Sequence, residues 1–330
     1  MRTSSFLIAI ASATLLCSCQ VNYYSQAIVG QLGVVRKQQP ISKVVNQSSS
    51  SDELRGQLAL VQELLVFAED ALLLPNDGNY TRYADLERES VLWSVFAAPE
   101  LSVEPIAWTY PIFGSLDYRG YFRKEAAEAF ADKLRAKGHD VAIAEVPAYS
   151  TLGWFNDPVL NTFIDWKERD LAALLFHELA HKKYYRHGDT EFSESFAVAV
   201  EQEGVRRWYR AKGDADALQK YERSLIKMNA FVDRVLSDRD ALETLYASDV
   251  DDAAKRREKE TRLRNLQMHV RSLLRAAGRE EEDTFWLRDE LNNAHLNIVA
   301  AYHEGVPKFE ALLAECDGDL ETFFERVKTL

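Results

Sequence analysis

The run Leu175-Phe176-His177-Glu178-Leu179-Ala180-His181 holds two histidines four residues apart, with a glutamate directly after the first. Four residues turn a helix by about 400°, so both imidazoles share one face within reach of a single ion. Leu171, Leu175 and Leu179 form a separate apolar stripe that can enter a core. Glu178 can reach a metal-bound water without itself being a ligand. No cysteine lies nearby, so histidines and carboxylates must supply the whole metal site.

A third ligand is needed, and the sequence offers one downstream. Gly188-Asp189 breaks the first helix, and Thr190 can cap a second. Glu191 falls in its first turn, where a carboxylate complements the helix dipole. Glu194 lies about one turn further in, on the face shared with Ala197, Val198 and Glu201. The small Ala197 lets this helix lie close against the histidine helix. Glu194 is therefore expected as the third ligand, with Glu201 its rival. Two histidines and one glutamate leave the fourth position of a zinc ion open to water, the pattern of a catalytic site. Such an ion lowers the pKa of its water and polarises a carbonyl, and Glu178 would carry the proton to a leaving amine. The expected cofactor is one Zn2+ per chain, and the expected chemistry is peptide-bond hydrolysis. The bland alternative is a helix pair with buried His and Glu in a polar network.

The elements that must position these groups are mostly helical. Ser50 and Glu53 form a capping box ahead of Leu54, Leu58, Val61, Leu65, Ala68 and Leu72, which follow a helical period until Pro75-Asn76-Asp77-Gly78. Val91 to Phe96, Ile106 to Phe113 and Val141 to Val146 are β-branched or aromatic runs of strand length, with an Ala-rich helix from Lys124 to Lys137 between the last two. One small sheet is expected. After Glu168 the chain reads as helix throughout: Leu218 to Tyr246, Asp251 to Ala277, Trp286 to Tyr302 and Lys308 to Leu330, broken at Gly278 and Gly305-Val306-Pro307. The fold class is α+β, predominantly helical, with a small sheet beside the metal-binding helix. Residues 1–18 read as a signal peptide, 19–80 as an N-terminal anchor and helical segment, and 81–330 as the catalytic domain.

The N-terminus carries Arg2, an apolar run from Phe6 to Leu16, and then Leu16-Cys17-Ser18-Cys19. The run is too short to span a bilayer, and the tetrapeptide resembles a bacterial lipobox. Cys19 is the expected lipid attachment site, the alternative being a plain secretory signal with an incidental cysteine. Loss of Cys17 and acylation of Cys19 leave Cys316 alone, so no intramolecular disulfide forms. Gln20 after the lipidated cysteine favours the outer membrane, facing the periplasm if the cell is Gram-negative. A net charge of −12 argues against a partner that is bound by phosphate neutralisation, so no nucleic acid is expected.

Longer stretches carry a resemblance. His177-Glu-Leu-Ala-His181, Gly188-Asp189-Thr190, Glu194-Ser195-Phe196-Ala197, Glu203-Gly204 and Arg206-Arg207-Trp208 resemble the bacterial family of predicted zinc aminopeptidases, whose members look like gluzincins. Tyr23-Tyr24-x-Gln26-Ala27-x-x-Gly30, Tyr118-Arg119-Gly120-Tyr121-Phe122, Tyr149 to Phe155 with Asp157-Pro158, and Asn292-Asn293-Ala294 followed by Tyr302 match it too. The family commonly carries Asn at Ser193 and Gly-Cys at Gly114-Ser115. The resemblance implies zinc, a gluzincin-like core and a peptide or protein substrate. It also suggests Tyr302 as a catalytic tyrosine.

Supporting roles stay open at this level. Tyr149 to Phe155 is the candidate strand for pairing with substrate, with Gly153 serving close approach or a turn. Tyr302 and Tyr185 are candidate oxyanion donors or structural tyrosines. Asp189 either caps a helix or orients a ligand imidazole. His139, His187, His269, His295 and His303 lack ligand spacing. The reading is a membrane-anchored zinc metallopeptidase. Its rival is a non-catalytic envelope lipoprotein that binds peptides or a partner on a degenerate scaffold.

Overall fold

The computed structural model describes residues 23–110, 114–149, 156–276, 285–288 and 290–330. Residues 23–37 are helical (α1), followed by β1 (Gln39–Pro40), α2 (Ile41–Val45) and α3 (Asp52–Leu72). The expected periodicity of α3 is met, with Leu58, Val61, Leu65, Ala68 and Leu72 buried. Its cap lies one residue later than the sequence suggested. Ser51 Oγ accepts the Leu54 N–H at 3.1 Å, while Ser50 Oγ donates to the Val44 carbonyl at 2.6 Å. A serine run offers several hydroxyls, and the loop that Ser50 ties down decides which one faces the helix.

The β region comprises β2 (Arg82–Ala84), β3 (Leu92–Pro99), β4 (Trp108–Tyr110), β5 (Gly114–Leu116), β6 (Tyr118–Tyr121), helix α4 (Lys124–Arg135), β7 (His139–Val146) and β8 (Val159–Leu160). Among the described residues the single expected sheet is instead three: β6–β3–β7, β1–β2–β8 and the β4–β5 hairpin. The two-residue strands β1 and β8 leave no periodic signal, because their pairing to β2 is set by long-range packing. In the main sheet β3 is central and antiparallel to both neighbours. Its alternate residues serve two layers. Val95 and Ala97 pack with Ala127, Ala131 and Leu134 of α4, while Phe96 packs with Ala142 and Ala294 on the other side.

The helical half runs α5 (Glu168–Lys183), α6 (Thr190–Lys212), α7 (Ala215–Ala247), α8 (Asp252–Ala276), α9 (Phe285–Arg288), α10 (Asn293–His303), α11 (Val306–Glu315) and α12 (Leu320–Val327). The expected Trp286–Tyr302 helix is split, because Asn292 caps α10 by accepting the Ala294 N–H. The Lys308–Leu330 run likewise breaks at Asp317-Gly318, both at positive φ. Helix α10 is fixed to the sheet at its first residues. The Asn293 side chain donates to the carbonyls of Pro99, Glu100 and Ser102, its N–H donates to Asp140 Oδ2 at 2.8 Å, and Tyr246 Oη donates to its Oδ1 at 3.0 Å.

Helix α5 lies against α3 and α6 through Leu171, Leu175, Phe176 and Leu179, all fully buried. Helix α6 is buried along most of its length. Gly204 permits the approach of its neighbours. A Cβ there would stand 2.7 Å from Phe176 Cδ2 and 2.9 Å from Leu72 Cδ1. Gly204→Ala should therefore lower stability by about 1–2 kcal/mol, although alanine is the better helix former. Denaturant unfolding of the two proteins checks this; an unchanged or raised midpoint contradicts the packing.

Candidate metal centre

The site is built by two consecutive helices and the short turn between them. Glu168 and Asp170 sit in the first turn of α5, and Lys182 and Lys183 in its last, as the dipole favours. The apolar stripe enters the core and leaves His177 and His181 on another face, their rings nearly perpendicular with centroids 4.8 Å apart. Asp189, not Thr190, caps α6: its carboxylate accepts the Phe192 N–H at 3.0 Å, and Thr190 is buried in the first turn. Ser193 Oγ accepts the Arg186 N–H at 3.1 Å, and the Arg186 guanidinium lies 3.3 Å above the Phe192 ring. These contacts hold the connection tight, so the first turns of α6 lie beside the histidines.

Glu194 then reaches them. Its Oε2 is 3.2 Å from His177 Nε2 and 3.5 Å from His181 Nε2, and the two Nε2 atoms are 3.2 Å apart. The three donor atoms lie within 4.8 Å of one another in a buried cluster able to hold a metal ion. Two imidazole nitrogens and a carboxylate oxygen form a donor set that suits zinc. Glu201, weighed as a rival ligand, is elsewhere: its Oε2 lies 3.2 Å from Nδ1 of His177, at the opposite ring nitrogen. It can fix that ring's tautomer and leave Nε2 facing Glu194. His181 Nδ1 is buried with no hydrogen-bond partner among the described residues, so the two imidazoles are unequally supported.

Electrostatics follow from this packing. Burial opposes a charge on His177, but hydrogen bonds with Glu194 and Glu201 outweigh it and raise its pKa well above the usual value. Burial likewise works against the Glu194 carboxylate, yet His181 and His177 hold its pKa well below the ordinary range. Glu178 goes the other way. Burial raises it, the two histidines oppose that, and Glu194 and Asp157 add to the rise.

Tyrosines gather around the cluster from distant elements. The Tyr302 ring of α10 stacks on His177, 6.2 Å away and tilted by 22°, and Tyr185 lies edge-on to His181 at 5.8 Å. Glu194 first, then burial, raises the Tyr302 phenol; burial and Glu194 push Tyr185 up to about 12. Three further neighbours were not expected at the site, although Tyr118 and Asp157 fall in stretches that carry the resemblance. Tyr118 of β6 feels burial and then Glu194, and Tyr80 feels burial and then Glu178. Asp157 is tied to Tyr80, whose N–H donates to the Asp157 carbonyl at 2.7 Å. Asn79-Tyr80 after a turn glycine and the pair Asp157-Pro158 were the available signals, but neither has ligand spacing.

Other expected residues take plainer roles. His295 belongs to the α10 capping box, and His303 is held down to about 4 by burial and then by His177. Asp189 caps a helix. Residues 150–155, including Gly153 of the expected substrate strand, lie outside the described residues, as do Cys17 and Cys19. Tyr149 is described, and its hydroxyl bonds Gln31.

A mainly helical α+β chain with a buried His-His-Glu cluster, and a glutamate beside it, defines a candidate metal-dependent protein. Residues 22–330 match the family described as "Putative aminopeptidase", and the chain belongs to that family. No curated protein matches it, and no solved structure does.

The geometry separates the two carboxylates of α6. If the cluster holds zinc, Glu194→Ala should abolish its binding. Glu201→Gln should keep a stoichiometry of one at saturation while weakening affinity by about 10–100-fold. Competition with a chelating dye checks both. Full affinity in Glu194→Ala with ion loss in Glu201→Gln would exchange their roles.

Proposed function

We propose that the protein is a zinc-dependent peptidase, lipid-anchored in the bacterial envelope, and that His177, His181 and Glu194 hold its ion. The observation that carries this reading is the buried convergence of three donors with Glu178 packed beside them. Family membership supports aminopeptidase as the finer activity and a peptide as the substrate. A zinc ion held there would polarise the scissile carbonyl and acidify the attacking water.

The chain's own residues do the rest. Glu178 is desolvated, so its carboxylate is more basic than a surface glutamate. It accepts the proton of the attacking water and delivers it to the leaving amine. Tyr302 and Tyr185 are protonated at neutral pH, like any tyrosine that is not shifted down, so both can donate to a developing oxyanion. Glu201 holds His177 in register from behind.

The anchor reading rests on Leu16-Cys17-Ser18-Cys19. Among the described residues no helix is long and apolar enough to cross a membrane. Cys316 is buried and free. Gln20 favours the outer membrane.

Two measurements test these proposals. Glu178→Gln preserves shape while removing the base. It should retain zinc and the melting temperature but lose peptidase turnover by at least about a hundredfold. Wild-type protein that binds zinc yet cleaves nothing in a diverse peptide library would make it a binding module instead. Intact mass should show an acylated N-terminus at Cys19, and a mature chain starting elsewhere without a lipid would remove the anchor.

A further inference from the structure

Helix α1 keeps one face on the protein body and turns the other outward. Inward, Gln26 Oε1 accepts the Phe122 N–H at 3.0 Å, and the Arg119 guanidinium lies 3.9 Å above the Tyr23 ring. Val34 enters the main core. A Cβ on Gly30 would fall 2.1 Å from Phe122 Cγ, so the helix rests directly on that ring. Contacts along its whole length fix α1 to the body.

The outward face is apolar. Tyr24, Ile28 and Leu32 recur every four residues and are 37%, 60% and 43% exposed, with Val29 beside them at 68%. Of the twelve large hydrophobic residues exposed among the described residues, these four fall within nine positions of the chain. A soluble surface has no use for such a concentration.

Charge is segregated in the same place. The chain has a net charge of −12, yet no Asp or Glu occurs before Asp52. From Cys19 to Ser51 the charged residues are Arg36, Lys37 and Lys43, and Lys37 is paired with Glu87 at 3.0 Å. Arg36 continues the stripe of Tyr24, Ile28 and Leu32 by one more turn and is exposed. An apolar stripe ending in a cation, on the acid-free segment of an acidic protein, fits an anionic lipid surface.

We infer that the outward face of α1 lies in the headgroup region of a phospholipid membrane and fixes the orientation of the whole protein on it. The inference rests on the proposed lipid at Cys19 for its geometry. Only three residues separate Cys19 from Tyr23, so the four steps between them reach at most about 14 Å. That tether holds the start of α1 at the bilayer. The stripe then needs only to lie down, burying Ile28, Val29 and Leu32 among headgroups and upper acyl carbons.

The full chain, purified from membranes and reconstituted into vesicles of phosphatidylethanolamine and phosphatidylglycerol, tests this. Ile28→Trp places a fluorophore on the stripe, and Val66→Trp places one on the exposed face of α3. In vesicles of dibrominated lipid, Ile28→Trp should lose most of its added emission, and Val66→Trp should lose none. Intact mass of the same samples reports acylation independently. Acylated Ile28→Trp protein whose added emission survives would overturn the inference while leaving the anchor in place. Unmodified protein that still binds vesicles and is quenched at position 28 would uphold the inference and end the anchor reading. Unmodified protein that fails to bind vesicles would end both.

Discussion

Two helices lying close enough for a carboxylate on one to reach two imidazoles on the other is the constraint that organises this molecule. Burying Glu194, His177 and His181 is costly unless each charge is answered by another. Their mutual distances of 3.2–3.5 Å supply that answer only while α5 and α6 stay in contact. Small residues keep them there: Ala197 and Gly204 are buried on α6, and Phe176 sits where a side chain at 204 would be. The rest of the fold follows from covering this pair. Helix α3 lies against α5, α11 lies against α6, and α10 fills the space between α6 and the main sheet.

Local chemistry was legible in the sequence where spacing alone decides geometry. His177 and His181 had to share a face, and Glu194 had to sit one turn into the next helix. Periodicity places a residue on a face, however, and says nothing about which atom of a ring it meets. Glu201 was on the right face and was weighed as a ligand; the structure puts it at the far nitrogen of His177. Caps slipped by one residue for a related reason, since neighbouring Ser50 and Ser51, or Asp189 and Thr190, are chemically equivalent candidates until the loop is fixed. Tyr80, Tyr118 and Asp157 reach the site from elements far away in the chain, and no local pattern announces that. The two-residue strands β1 and β8, which build a second sheet around β2, are long-range features of the same sort.

The resemblance that spans the sequence divides, in the structure, into chemistry and joinery. Tyr23, Gln26 and Gly30 meet Arg119, Tyr121 and Phe122, so two separated matching stretches form one contact. Arg207 donates to Glu203 and to the Gly318 carbonyl, and Trp208 donates to Glu168, tying α6 to the C-terminal turn and to the start of α5. Asn292 and Asn293 carry no chemistry of their own. They set the position of α10, and with it the tyrosine that stacks on His177. Ser195, next to Glu194, accepts the Gly305 N–H at 3.1 Å and secures the region just past the other end of that helix.

The order of the pieces along the chain has its own consequence. His177 and Glu194 are 17 residues apart, whereas Tyr302 is made only after α7, α8 and α9. In a polypeptide that emerges from its N-terminus, short-range contacts form ahead of long-range ones. The nascent α5–α6 pair therefore presents its three donors to the surroundings before the helix that closes over them has been synthesised. An ion held by those donors could then arrive before closure, through the side where α10 later brings Tyr302 against His177.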